Sequence, residues 1–196
     1  MLRIFIVFIF IVNLSGCGYN DIQAYDEQTN SAWSEVLNQY QRRADLIPNL
    51  VASVKGYASH ESEVLEAVTL ARAQANLASG KLQQAPDDAQ KLADWQQAQM
   101  QLTRSLRQLN IISERYPELK AQELYKNLMT QLEGSENRIT VARGRYIKSI
   151  EKYNITIRQF PAVMTAKVMD YQPKKNYLPD DVATISKAPT VDFSQH

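Results

Sequence analysis

One cysteine and two histidines, one of them the final residue, leave this 196-residue chain few groups for metal or acid–base chemistry. A single thiol excludes an intramolecular disulfide framework and a thiolate-built structural zinc site. Glycine is sparse, with 6 residues, and only three of the 7 prolines (Pro48, Pro86 and Pro117) precede Phe160. That scarcity excludes collagen-like and low-complexity chains. No charge sign dominates: 22 Lys+Arg against 21 Asp+Glu gives a formal net charge of +1. A nucleic-acid binder needs a basic face to neutralise phosphates, so nucleic acid is not an expected partner.

Several catalytic patterns are absent too. A di-iron bundle uses Glu-x-x-His on two helices, but Tyr57 lies three residues before His60. His60-Glu61 is followed at the fourth position by Val64, not by a second His, so the metalloprotease helix motif fails. No Gly-x-Ser-x-Gly elbow and no glycine-rich phosphate loop occur. The sequence therefore offers no catalytic set, metal site or cofactor, and a non-enzymatic role is expected. His60 reads as a capping or surface residue at a helix irregularity around Lys55-Gly56-Tyr57.

The N-terminus carries the only long apolar run. Arg3 is followed by Ile4–Val12 without a polar residue. Crossing a bilayer takes about 20 apolar residues, so this run reads as the core of a signal peptide. Leu14-Ser15-Gly16-Cys17 follows it and resembles the lipobox of bacterial lipoproteins. The resemblance implies cleavage between Gly16 and Cys17, diacylation of the Cys17 thiol and acylation of the new amino terminus. Membrane attachment through lipidated Cys17 is the first expected partnership. Gly18 at the next position implies the periplasmic face of an outer membrane over the inner membrane, if the cell has two.

Residues 20–160 have helical periodicity. Leu124, Leu128, Leu132, Ser135, Ile139, Ala142, Tyr146, Ile150, Tyr153, Ile157 and Phe160 repeat at the α-helical period. Leu92, Trp95, Leu102, Leu106, Leu109, Ile112 and Tyr116 form a second stripe, opened by Asp87-Asp88 behind Pro86. Upstream, Trp33, Val36, Tyr40, Ala44, Ile47, Leu50, Val54 and Ala58 continue through Leu65, Val68, Ala71 and Ala75. Pro48 either kinks one helix here or starts another, and Pro117 opens the last long helix. Short connections favour antiparallel neighbours. The expected fold is all-α: an antiparallel up-and-down bundle of about four long helices with an extended C-terminal tail. Residues 1–16 form the signal peptide, 17–162 the bundle and 163–196 the tail; Pro161, Pro173, Pro179 and Pro189 concentrate in the last 36 residues, and little helix is expected after Met169. Tyr40, Tyr57, Tyr146 and Tyr153 fall on or near apolar faces, as core or as the wall of a groove for a partner helix.

Trp33, Arg42-Arg43-Ala44-Asp45-Leu46-Ile47-Pro48-Asn49-Leu50-Val51, Lys55-Gly56-Tyr57-Ala58 and His60-Glu61 stand in order along the chain. Tyr116-Pro117-Glu118-Leu119-Lys120, Glu136-Asn137-Arg138-Ile139, Ala142-Arg143, Tyr153-Asn154, Phe160-Pro161 and Pro189-Thr190-Val191-Asp192-Phe193 follow. Together they resemble the LemA family over about residues 19–193. Ile147, Gln122 and Leu178 depart from its usual pattern, and a lipobox stands where many members carry a transmembrane helix. The resemblance implies an antiparallel helical bundle beside a membrane and brings no established catalytic activity with it. At 100° per residue, Glu136, Arg143 and Asn154 lie within roughly 60° of the stripe through Ile139. Glu136 and Arg143 are therefore expected to meet Arg42, Arg43, Asp45 or Asn49. This polar set either fixes helix register or forms a ligand or peptide site. The expected role is a membrane-anchored scaffold or adaptor with a protein partner or self-association. The alternative is a carrier or sensor holding a small ligand or peptide between helices.

Overall fold

The apolar stripes fold as helices that pack side by side. A computed structural model describes residues 18–58, 60–86 and 88–175. Its elements are α1 (Tyr19–Lys55), α2 (Ser62–Gln84), α3 (Ala89–Ser113), α4 (Pro117–Ala121), α5 (Glu123–Thr156) and α6 (Ala162–Val168). Among the described residues there is no strand. At 1.5 Å per residue α1 is about 55 Å long and α5 about 50 Å, whereas α2 and α3 reach only about 35 Å.

The four long helices run alternately up and down. Arg72 of α2 reaches the Ala44 carbonyl of α1 at 2.8 Å. The Trp95 indole of α3 donates to Ser79 of α2 at 2.9 Å, and Arg115 pairs with Glu61 at the other end of that hairpin. Arg43 of α1 meets Glu136 of α5, while Trp33 stacks near Tyr146. As residue numbers rise along one helix they fall along its neighbour, which is the antiparallel order that short turns impose.

Pro48 lies inside α1, which continues through it. Proline has no N–H to donate to the carbonyl four residues back. That carbonyl belongs to Ala44, and it is the one that accepts from Arg72 Nε. A side chain of the next helix thus satisfies the group that Pro48 leaves open, and the helix need not end there.

The start of α5 departs from the expected single helix opened by Pro117. Pro117 opens only the one-turn α4, and Gln122 then takes an extended conformation with ψ 129° before α5 begins. Leu119 and Tyr125 are both buried. In one continuous helix these two would point about 120° apart, being six residues apart at 100° each. The break at Gln122 lets both face the core, so Tyr125 takes the place expected for Leu124, which is 62% exposed. Phe160 also leaves the expected stripe: α5 ends at Thr156, and Phe160 lies exposed in the turn before α6. Asp88 caps α3 as expected, its carboxylate accepting from the Gln90 and Lys91 amides. Tyr57 lies exposed in the turn after α1, and His60 is exposed in the same connection.

Two cores share the four-helix part. One runs from Ile47 and Leu50 through Leu65, Val68, Leu102, Leu109 and Leu119 to Leu128. The other holds Val36, Tyr40, Leu82, Trp95, Ile139 and Ala142. A third, at the N-terminal end of α1, consists of Ile22, Tyr153, Ile157, Ala162 and Ala166, with no residue of α2 or α3. α1 and α5 therefore extend past the α2–α3 hairpin as a two-helix stalk, and α6 packs against it. α6 ends at Val168 and residues 171–175 are non-helical, in keeping with little helix after Met169, while Ala162 and Ala166 are buried against the stalk.

Candidate functional site

The sequence-predicted polar set resolves into three locations. At the centre, three helices converge on Arg43. Its side chain is only 1% exposed and donates to Glu136 Oε1 at 2.6 Å, Thr103 Oγ1 at 3.0 Å and Gln99 Oε1 at 2.7 Å. The Tyr40 ring lies 5.0 Å from the guanidinium carbon, in range for a cation–π contact. Burying an arginine is unfavourable unless its charge and donors are matched. Here a carboxylate, an amide oxygen and a hydroxyl accept from three of the five N–H groups, while Nε is buried without a hydrogen-bond partner. Glu136 is 44% exposed and carries the pair's charge to the surface. Arg143 lines the same cleft, of about 290 Å³, together with Arg104, Arg107 and Thr140.

Arg42, Asp45 and Asn49 do not join this junction. All three are exposed on the outer side of α1, and Asp45 accepts from Gln41 one turn back at 2.8 Å. Consecutive helical residues point about 100° apart; the buried arc here takes in Arg43 and Ala44 and leaves Arg42 and Asp45 on either side of it. Asn154 acts at the stalk. Its amide nitrogen donates to the Lys174 carbonyl and its oxygen accepts from the Lys174 amide, both at 2.8 Å. This two-point clamp holds the chain after α6 along the stalk, where Lys174 also pairs with Asp26 at 2.8 Å. Gly16 and Cys17 lie outside the described residues.

Gln99 and Thr103 are partners that the sequence reading missed. A signal was present: the α3 stripe passes from Trp95 to Leu102 with one step unfilled by an apolar residue. Gln99 occupies that step, and Thr103 follows one turn later. A polar residue at a vacant place in an apolar stripe marks a buried hydrogen bond.

An aromatic cluster sits one turn from Arg43. Trp95 is fully buried and meets Trp33 at 5.4 Å and Tyr40 at 4.8 Å, both edge to face. At the far end of the body, the Tyr116 hydroxyl donates to Glu61 at 3.1 Å. Desolvation chiefly, then this bond and the Glu61 charge, hold the Tyr116 phenol above its ordinary value.

Two further clefts open at the surface. One of about 690 Å³ follows the α1/α5 seam and is polar, with Gln28, Glu35, Arg145 and Lys152 among its walls. The other, of about 500 Å³, lies between α1 and α2, with Val51, Leu65, Leu70 and Ala73 as its apolar floor and Lys55 and Glu66 beside them. Among the described residues no group of three or more His, Cys, Asp or Glu could hold a metal ion, and no helix is long and apolar enough to cross a membrane.

The profile of one protein family, described as the LemA family, matches residues 32–193. No curated protein matches the chain. The matched region starts where α1 enters the four-helix body, and it contains every member of the Arg43 junction.

Proposed function

This chain belongs to the LemA family, and on that premise we propose that it is a membrane-anchored, non-enzymatic scaffold or adaptor of the cell envelope. Acyl groups on Cys17 hold it to the bilayer, on the periplasmic face of the outer membrane where two membranes exist. The observation that carries the reading is the apolar α1/α2 groove and its distance from the anchor. From Gly18 to Val51 is about 50 Å along α1 at 1.5 Å per residue. A partner helix seated on Val51, Leu65, Leu70 and Ala73 would be held that far from the lipid, with Lys55 and Glu66 setting its orientation. The Arg43 junction supports the same reading. Its partners come from two other helices of the same chain, so it ties the register of three helices together.

A photo-cross-linking side chain at Leu70, in cells, tests this. The expected result is one discrete adduct that disappears with Ala73→Glu and with Cys17→Ala. Adducts at Arg104 but none at Leu70 would discard the groove. A membrane-bound wild-type chain whose N-terminal fragment carries no acyl mass would discard the lipid anchor. A small molecule retained through native mass spectrometry would favour the carrier instead.

A further inference from the structure

The stalk end has an unpartnered apolar face whose position says what covers it. α6 has two apolar sides. Ala162 and Ala166 turn inward and are buried with Ile22, Tyr153 and Ile157. Met164 and Val168, one helical turn apart, turn outward and are 61% and 85% exposed. Phe160, in the turn just before α6, is 75% exposed, and Tyr19 and Ile155 are exposed on the neighbouring helices. Isolated exposed apolar residues are ordinary, but a methionine and a valine on one face of a short helix, with a phenylalanine exposed at its start, are not isolated.

Gly18 fixes where this face lies relative to the anchor. Its φ is 109°, in the left-handed region that favours glycine, and a Cβ there would lie 2.7 Å from Ala162 Cα. The main chain of Gly18 therefore rests directly on the first turn of α6. Cys17 is the next residue, about 3.8 Å away in Cα spacing, and the apolar run Ile4–Val12 precedes it. A chain joined to a membrane through Cys17 is joined within a residue or two of the first turn of α6.

We infer that the Phe160–Val168 segment is a second membrane contact, which lies in the interfacial layer of the phospholipid bilayer beside Cys17. It rests on the membrane-anchored reading above. Phe160, Met164 and Val168 enter the acyl boundary, while Arg158 and Lys167, both exposed, stay at headgroup level. An acylated cysteine alone is a swivel. A second contact fixed to the same stalk through Ala162 and Ala166 sets the tilt of the rod and holds the α1/α2 groove away from the lipid.

The test uses the full chain, produced in cells, purified from membranes and reconstituted in vesicles whose lipid tails carry bromine. Met164→Trp places an indole in the proposed contact and Leu70→Trp places one at the far end. In plain vesicles both emit. In brominated vesicles the emission that the indole at 164 adds to that of Trp33 and Trp95 should be mostly lost, and the emission added by the one at 70 not at all. The pair Phe160→Asp and Val168→Asp in the Met164→Trp chain should abolish that loss while the protein still floats with the vesicles. A matching far-UV spectrum and melting curve guard against misfolding, and Val168→Trp replaces Met164→Trp if that chain fails to fold. Undiminished emission at 164 and 168 from a chain that floats would overturn the contact and leave the anchor standing. A chain that does not associate with vesicles, or whose N-terminal fragment has no acyl mass and no uncleaved leader, would overturn the anchor and the contact together.

Discussion

The four-helix body and the stalk share α1 and α5 yet are held together by different means. In the body, leucines, isoleucines and Trp95 from four helices interlock, and the one buried charge is matched from two other helices. In the stalk only two long helices remain, and the apolar contribution is Ile22, Ile157, a tyrosine and two alanines. Polar groups complete it: the Asn154 clamp on Lys174, the Lys174–Asp26 pair, and the Lys152 ammonium 4.3 Å from the centre of the Tyr25 ring. A short helix pair with so few large apolar residues buries little area against the entropy of ordering the chain. The stalk therefore borrows the segment after α5, whereas the body closes on itself. The difference predicts that the body unfolds cooperatively at high free energy and that the stalk opens locally first.

The largest effect should come from Trp95→Ala, which removes the ring at the body's centre together with its bond to Ser79. A loss of about 3–5 kcal/mol is expected for deleting a buried aromatic of this size. Urea unfolding followed by far-UV dichroism measures it. A loss below about 1 kcal/mol would mean that the body does not depend on this layer, and the contrast with the stalk would fail.

The Arg43–Glu136 pair should respond unequally to loss of either member. Glu136→Leu leaves a buried cation without its carboxylate, a situation that costs about 3–5 kcal/mol. Arg43→Met leaves a half-exposed carboxylate that water can solvate, along with Gln99 and Thr103, and should cost less. If Arg43→Met is the more damaging in urea unfolding, packing of the guanidinium against Tyr40 outweighs charge matching. Should either variant keep full stability and lose the groove adduct at Leu70, the junction serves binding and not register.

Much of this was legible in the sequence, and the failures follow from a few physical causes. The helix start at Asp87-Asp88 came from the acidic pair behind Pro86. The period of 3.6 marked the long helices and put Glu136 at the edge of the buried face, because a buried stripe repeats whatever its neighbours are. It could not separate Arg42 from Arg43, since a motif names adjacent residues while a helix sends them to different faces. It placed Leu124 inward because Leu124 and Tyr125 both keep step with Leu128 and Leu132. Only the break at Gln122, set by the need to bury Leu119 as well, chooses between them. The passage of α1 through Pro48 depends on Arg72, 28 residues away along the chain, and a local pattern holds no trace of it.

That long-range bond supplies the next test. Arg72→Met should leave the Ala44 carbonyl without a donor and cost about 1–3 kcal/mol, the range for a buried polar group left unsatisfied. Pro48→Ala restores a backbone N–H to the same carbonyl. In the Pro48→Ala background, Arg72→Met should therefore cost less, and the difference between the two costs is the coupling. Equal costs in the two backgrounds would show that Arg72 acts elsewhere. In the stalk, Asn154→Ala should cost only about 1 kcal/mol as measured by local hydrogen exchange. Protection should fall in α6 and the last turns of α5 while the amides around Leu106 keep theirs. Uniform loss across α3 would join stalk and body into one cooperative unit.

The smallest expected effect is alkaline and again separates the regions. Burial first, then the charges of Asp26 and Tyr171, raise the Tyr153 phenol above its ordinary value of 10.0. The folded chain thus holds this proton more tightly than the unfolded chain does. By linkage the contribution is complete below the unfolded value near 10 and is lost as pH rises through the raised folded value. Tyr153 belongs to the stalk core, whereas both tryptophans lie in the body core. Above pH 10, phenolate absorbance and far-UV dichroism should register loosening of the stalk before indole emission changes, and Tyr153→Phe should flatten that early phase. Tyr116 titrates against Glu61 at the opposite end, so Tyr116→Phe should leave the early phase intact. Simultaneous change in all three signals would mean that the stalk has no separate opening, because a proton lost at Tyr153 would then be felt at Trp95 as soon as at Ile22.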